Sequence, residues 1–437
     1  MNRATQAEIA AVCNRYWNYM IHFYNGSFNQ EEFHEYMEPV FQETGYRGEY
    51  TDHMLILHDA GAGDFVLSTG AIREIRRKHP SSHITLAVSI SAYELAIKCP
   101  YVNEIVLNNA TLVQRDRKSM VERTVDFLIK ILKYRYDICY VMQCFSYSLV
   151  VAYMTGAKER IATNFYIDEE DEQRWTSLPT VLFKDVRDLV TTVIPRGSES
   201  IHRADLNFSL VQEPIQNCNL EIWTDDESRN KVEVMFKNLT RPVYALCFGG
   251  SHKRKMYPPD KYAEAVRLIL REEPTATFVI LGRGKSDRDS AELFRKTLGN
   301  DERVVDLTDR TTYSASGMVL SLCDTYIGNT TGTLHLATSV KCPVLNVSSF
   351  PADIPVLPGD DLAVYYPYGV PNVSVLPAHC KLSCLSNVKH SAYGCTVVNE
   401  PHCITNIEPQ TIVKGLQMLK ERIKTGNIEP VRYHSRE

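Results

Sequence analysis

Residues 326–340 read YIGNTTGTLHLATSV, and the reading of this stretch decides the fold. An apolar, strand-like run stops at Gly328. Asn329, Thr330, Thr331, Gly332 and Thr333 follow, and an apolar helical pattern then begins, with His335 near its start. Small residues at a helix start let backbone N–H groups approach an anion, and hydroxyls add donors. The same residues also describe a capped helix with a satisfied histidine. A strand, a small-residue turn and a helix form the unit of a parallel α/β sheet, in which ligands bind beyond the C-terminal ends of the strands.

The same rhythm runs outward from this point. Upstream, PVYALCFG, ATFVILG, RVVDLT and DTYIGN read as strands separated by the helices PPDKYAEAVRLILREEP, SDRDSAELFRKTLG and SASGMVLSLC; downstream, CPVLNVS closes the series. An earlier series begins at His53: HMLILH, HITLAVS, VNEIVL and YDICYVM are strands, and FVLSTGAIREIRRKHP, SAYELAIKCP and Val121–Tyr134 are helices. The polar, weakly patterned segment at 196–235 reads as a linker. The expected organisation is a helical extension at 1–50, Rossmann-like domains at 51–230 and 231–375, a Cys-rich segment at 376–406, and a helix and tail at 407–437. In the extension, Thr5 is a plausible N-cap and the stripe Tyr16, Tyr19, Phe23 reads as packing. The final helix, EPQTIVKGLQMLKERIKT, could cover either domain.

Composition narrows the function. A net charge of −5 and a pI near 6.3 give no support for a nucleic-acid partner. The longest apolar runs are too short to span a bilayer, and MNRATQAEIAAVCNRYWNYM lacks the apolar core of a signal peptide. The expected location is therefore cytoplasmic, extending to the inner membrane face through peripheral association.

Three strand-to-helix turns carry candidate chemistry. In HDAGAGDFVL, Gly61 and Gly63 allow a tight turn, and Asp64 stands at a helix start, where it either caps the helix or acts on a ligand. A dinucleotide fingerprint fails here. Val66 occupies the third glycine position, and no acidic residue ends HITLAVS to hold a ribose. In CFGGSHKRKMYPP, Gly249, Gly250 and Ser251 precede His252, Lys253, Arg254 and Lys255, a set that suits a phosphate or a merely solvated loop. The third turn is the opening stretch.

These residues resemble glycosyltransferase family 9, the heptosyltransferases of GT-B fold. GAGDFVLSTGAIREIRRKHP, YDICYVMQCFSYSLVVAYMTGAKERI and VVDLTDRTTYSASGMVLSLCDTYIGNTTGTLHLATSVKCPVLNV carry the resemblance, over roughly residues 53–425. It implies two Rossmann-like domains facing across a cleft and inverting transfer from a nucleotide-diphospho-sugar, foremost ADP-heptose. The acceptor would be a hydroxyl of lipopolysaccharide core, another surface glycan, a lipid-linked glycan or a protein. By position, Asp64 matches the general base and Lys255 the lysine on the donor diphosphate. Thr331, Gly332 and His335 match the donor-site Thr-Gly-x-x-His, with Gly63, Ser251, Lys253, Arg254, Asn329, Thr330 and Thr333 around them. Thr330 replaces the family's usual Asp, a carboxylate that helps bind the nucleotide sugar. No metal is expected to be needed for catalysis. A nucleotide-sugar epimerase of the same fold would need carboxylates in the donor domain; a binding protein without transfer activity is the non-enzymatic reading.

Cys380, Cys384, Cys395 and Cys403 fall within 24 residues, where an even spread of the chain's 12 cysteines would place fewer than one. The spacing C-x3-C-x10-C-x7-C suits a structural Zn or Fe ion, with His379, His390 and His402 as further ligands. Unligated thiols and a redox disulfide are the other readings. The autotransporter branch of the family carries a comparable iron-binding cluster and is oligomeric, so a homo-oligomer is expected as well.

Overall fold

The computed structural model describes residues 4–20, 30–44, 52–110, 117–143, 146–163, 189–195, 201–250, 255–350, 352, 361–378 and 402–434. The chain divides into two compact units, Met1–Glu199 with Ala204–Cys218 and Ser200–Arg203 with Asn219–Glu437. Each is built on a parallel sheet. The apolar runs explain why: a strand buried on both faces carries near-continuous Val, Ile and Leu rather than alternation.

In the first unit the strands are β1 (His53–His58), β2 (His83–Ser89), β3 (Glu104–Asn108), β4 (Ile138–Val141), β5 (Glu159–Thr163) and β6 (Thr192–Ile194). They pair in parallel in the order β3-β2-β1-β4-β5-β6. Strand order reverses between β1 and β4, so the ligand crevice of this sheet lies beyond their C-terminal ends.

The second unit contains β7 (Val243–Cys247), β8 (Thr277–Leu281), β9 (Val304–Asp306), β10 (Thr325–Asn329), β11 (Val344–Val347), β12 (Asn372–Val375) and β13 (Arg432–Tyr433). Their order is β13-β12-β11-β10-β7-β8-β9, again all parallel, with the reversal between β10 and β7. Both turns that the sequence singled out in this half therefore flank its switch point.

The N-terminal residues are built into the first core. Thr5 and Glu8 form a capping box at the start of helix Gln6–Asn18, as its sequence position predicts. Tyr16, Tyr19, Phe33 and Phe41 are buried and form one core with Leu55, Val141 and Tyr153. The rings of Phe33 and Phe41 lie 5.7 and 5.8 Å from that of Tyr153. Phe23 lies outside the described residues.

The structure departs from the reading of the sequence in places and completes it in others. The segment 196–235, read as a linker, carries helices Arg203–Ser209 and Asp226–Phe236. Strands β5, β6, β12 and β13 extend the two sheets beyond the runs read as strands. The stretch 65–80, read as one helix, is broken: helix Ala62–Val66 ends at Leu67 and helix Thr69–Lys78 begins after Ser68. The late helix Pro409–Thr425, left open between domains, packs on β11, β12 and helix Pro259–Glu272 of the second unit. Gly415 allows that contact, since a Cβ there would meet Val375 Cγ2 at 2.7 Å. Lys420 pairs with Glu273, and Gln417 Nε2 donates to Glu272 at 2.9 Å. Among the described residues no helix is long and apolar enough to cross a membrane.

Candidate functional site

The strand-to-helix turns after β7, β8, β9 and β10 of the second unit differ in what meets the first N–H groups of each helix. Helix Lys285–Leu298, after β8, carries Asp287 in its first turn. The Asp287 carboxylate accepts from the Arg283 N–H at 2.6 Å, and Asp309 accepts from the Gly284 N–H at 2.7 Å and pairs with Arg288. Burial, then the charge of Asp309, raises the Asp287 carboxyl above its usual range. This helix start is already occupied by the chain's own anions.

Helix Tyr313–Leu322, after β9, is capped by the Thr312 hydroxyl on the Ala315 N–H at 3.1 Å. Helix Pro259–Glu272, after β7, has Pro258 at its N-cap and Asp260 in its first turn. Helix Gly332–Ser339, after β10, is different. It has no acid in its first turn, and its N-cap residue Thr331, in extended backbone, makes no side-chain cap. The N-terminal dipole of this helix is met by no side-chain anion of its own first turn.

The surroundings of that turn are held rigidly. Asn329 is fully buried, and its side chain makes four hydrogen bonds. Nδ2 donates to the Phe248 and Gly249 carbonyls at 2.7 and 3.1 Å; Oδ1 accepts from the Tyr257 N–H at 3.2 Å and the Tyr262 hydroxyl at 2.9 Å. This fills the capacity of an amide side chain, so Asn329 clamps the loop after β7 to the end of β10. Thr330 donates to Asn346 Oδ1 at 2.9 Å, and Asn346 Nδ2 donates to Ser374 Oγ at 3.2 Å. This neutral relay crosses the ends of β10, β11 and β12. Gly328 is required by its neighbours, because a Cβ would meet the Tyr326 hydroxyl at 2.6 Å and the Cys247 carbonyl at 2.7 Å.

His335 is 5% exposed, and its Nδ1 is buried without a hydrogen-bond partner. Burial, with the charges of His202 and Lys255, lowers its pKa to about 3, so it is neutral at ordinary pH. Its ring lies 6.1 Å from that of Tyr365. His202 comes from the segment read as a linker. It stacks on Tyr368 at 4.6 Å, its Nε2 hydrogen-bonds the Tyr366 carbonyl at 2.9 Å, and burial lowers its pKa to about 4. Lys255 is half-buried at the end of the β7 loop. The structure thus brings Lys255, Asn329, Thr330, Thr331, Gly332, Thr333 and His335 to one switch point. Ser251, Lys253 and Arg254 lie outside the described residues. Gly249, at the start of the turn after β7, gives room to Asp287, since a Cβ there would meet Asp287 Oδ1 at 2.4 Å.

In the first unit, Gly61 is the N-cap of helix Ala62–Val66, and Gly63 and the half-buried Asp64 stand in its first turn. Asp64 is therefore at the C-terminal end of β1, beside the strand-order reversal. The sequence reading passed over Asp59. Its buried carboxyl accepts from Asn108 Nδ2 and from the Ser148 hydroxyl, both at 2.7 Å, and burial raises its pKa. These partners lie 49 and 89 positions away, so no local signal marks it.

Cys380, Cys384 and Cys395, with His379 and His390, lie outside the described residues. Cys403 is half-buried in the short helix His402–Thr405. Among the described residues, no group of three His, Cys, Asp or Glu side chains could hold a metal ion.

Comparison with known proteins adds to this geometry. The model of glycosyltransferase family 9 (heptosyltransferase) matches residues 125–349. No curated protein sequence matches the chain significantly. Among solved structures, a glycosyl transferase family 9 protein from Veillonella parvula DSM 2008 is 14% identical with a TM-score of 0.62, over 85% of this chain and 97% of that one. The ADP-heptose lps heptosyltransferase II of E. coli is 16% identical with a TM-score of 0.58, over 85% and 99%. The E. coli heptosyltransferase WaaC with ADP is 11% identical with a TM-score of 0.56, over 86% and 99%. At such identities the likeness bears on the fold, which is the GT-B fold of these enzymes.

Proposed function

The chain belongs to glycosyltransferase family 9 and is a glycosyltransferase, and we propose that it moves heptose from ADP-heptose, with inversion, to a hydroxyl of a surface glycan or protein. The observation that carries the donor half of this reading is the start of helix Gly332–Ser339, free of acid and of a side-chain cap at a switch point. A diphosphate seated there meets backbone N–H groups and the positive end of the helix dipole. Lys255 adds a cation. Neutral His335 adds a hydrogen bond through a ring whose Nδ1 has no protein partner.

Transfer then asks for charge control at two atoms. The acceptor hydroxyl attacks the anomeric carbon from the face opposite the diphosphate. Its proton passes to the Asp64 carboxylate, the sugar–phosphate bond breaks, and ADP leaves with the bonding pair. Negative charge grows on the leaving oxygen as this happens. A cation and helix-start N–H groups fixed there beforehand stabilise the transition state more than the bound substrate. Thr330 fits a donor site without a carboxylate at this position, because its hydroxyl is already engaged by Asn346.

The test is a binding and turnover panel with purified protein and ADP-heptose, UDP-glucose and GDP-mannose. ADP-heptose should bind at least tenfold more tightly than the other two and release ADP when acceptor is supplied. Tighter binding of a UDP- or GDP-sugar overturns the donor assignment.

A further inference from the structure

The helix that carries Asp64 ends after five residues although the apolar spacing continues through Ile72 and Ile75. An uninterrupted helix would pair the Asp64 carbonyl with the Ser68 N–H. Instead the Ser68 N–H turns to the Phe65 carbonyl at 2.9 Å. The break frees carbonyls in a buried place, where each needs a donor. Side chains supply them. The Ser68 hydroxyl donates to the Asp64 carbonyl at 3.0 Å, and the Thr69 hydroxyl to the Val66 carbonyl at 2.8 Å.

The third donor comes from far along the chain. Asn207, in helix Arg203–Ser209, is 1% exposed, and its Nδ2 spends both hydrogens on the break. One goes to the Leu67 carbonyl at 3.1 Å and the other to Ser68 Oγ at 3.0 Å. Because Ser68 Oγ accepts from Asn207, its own hydrogen is left pointing at the Asp64 carbonyl. A directed chain therefore runs Asn207 Nδ2–H to Ser68 O–H to the backbone of Asp64, with Asn207 and Ser68 both buried.

We propose that Asn207 and Ser68 are positioning residues for Asp64, holding the helix break that sets where its carboxylate stands. This rests on the reading of Asp64 as the base. If the chain is cut, the lowest-cost repair is the continuous helix that the sequence periodicity favours. That repair draws the Ser68 N–H back to the Asp64 carbonyl and re-aims the Asp64 side chain. Displacement of a base by about 1 Å can cost on the order of a hundredfold in rate.

The experiment uses the full chain. Wild type, Asn207→Ala, Ser68→Ala, Ser68→Thr, Asp64→Asn and Asn207→Ala/Asp64→Asn are compared by hydrogen exchange, by ADP affinity, and by turnover of whichever donor of the panel is transferred. Asn207→Ala and Ser68→Ala should change exchange within residues 62–68 at least tenfold, with slowing at the Ser68 N–H drawn into the continuous helix, while leaving 53–58 unchanged. They should lower kcat at least tenfold with ADP affinity within twofold, Ser68→Thr should restore most of the rate, and the double variant should be no slower than Asp64→Asn alone. Unchanged exchange at 62–68 in both alanine variants overturns the proposal, as does altered exchange with unaltered kcat, or additive loss in the double variant. Full activity of Asp64→Asn fails the base assignment itself, a result separate from these. Should Asn207→Ala not fold, Ser68→Ala and Ser68→Thr decide by the same criteria.

Discussion

Helices Lys285–Leu298 and Gly332–Ser339 begin the same way, after a buried parallel strand of one sheet and a short turn rich in small residues. Yet one start is closed to anions and the other is open. The first is met by Asp287 and Asp309, each bonded to a backbone N–H of the turn. The second has no acid in its own first turn, and among the described residues no carboxylate bonds to it. The lesson is that a glycine-rich turn before a helix does not by itself mark a phosphate site. What decides is whether the chain has already placed a carboxylate there. Gly249 and Gly282 make the point concrete. The space a Cβ would need at either position is held by Asp287, so these glycines serve an internal anion.

The most direct way to break the contrast is to give the open start the closed one's chemistry. Thr333→Asp places an acid in the first turn of helix Gly332–Ser339, where the dipole favours it, so thermal stability should hold or rise slightly. ADP affinity, measured by calorimetry, should fall about a hundredfold, which corresponds to about 2.7 kcal/mol. The reciprocal change, Asp287→Asn, retains an acceptor for the Arg283 N–H and should alter ADP affinity less than about threefold. If both variants bind ADP equally, the two starts are not distinguished as argued.

A smaller effect is expected from Lys255→Ala. A charge-assisted hydrogen bond is worth about 1.5–3 kcal/mol when intact, and the half-exposed setting puts this one at the lower end. ADP affinity should weaken about tenfold, and kcat should fall as well because charge grows on the leaving phosphate. Loss of affinity with kcat preserved would make Lys255 a ground-state contact only.

The smallest effect near neutrality is the pH dependence of stability. His202 and His335 have folded-state pKa values of about 4 and about 3, below the value near 6.5 of an unfolded histidine. Over that interval the unfolded chain binds more protons. Their contribution is therefore fully present above about pH 6.5 and is lost as pH falls toward their folded values, at about 1.4 kcal/mol per histidine per pH unit. Tm should change little between pH 8 and 7 and drop steadily from pH 6 to 5, with a shallower slope in His202→Phe. An equal slope in that variant would assign the acid sensitivity to other groups.

The fold was legible because parallel strands buried on both faces announce themselves as short apolar runs, as in HMLILH, VYALC and TFVIL. The strands that were missed are short or mixed. ERIAT, TVI, NVSV and RY carry too few apolar residues in a row to stand out, and their places come from pairing with a neighbour already laid down. The opening turn was legible because hydroxyl and glycine residues between a strand and a helix are a local signal. Asp59, His202 and Asp287 were not, because what makes each notable is burial against residues distant in sequence. The helix break after Val66 is the clearest case. Local periodicity argues for continuity through Ile75, and Asn207, 139 positions from Ser68, overrules it.

The N-terminal helices have a kinetic consequence. Tyr153 donates to Glu38, 115 positions earlier, and Arg135 pairs with Glu8, 127 positions earlier. Between those partners lie β1, β2 and β3, so the two helices reach their final places only around chain that has itself been ordered. Closing loops of that length costs entropy before any contact rewards it, and folds dominated by such distant pairings form slowly. The expected consequence is that the buried rings Tyr16, Phe33 and Phe41 lock late in the assembly of the first unit, so Phe41→Leu should speed unfolding and leave the folding rate nearly unchanged, as stopped-flow kinetics would show.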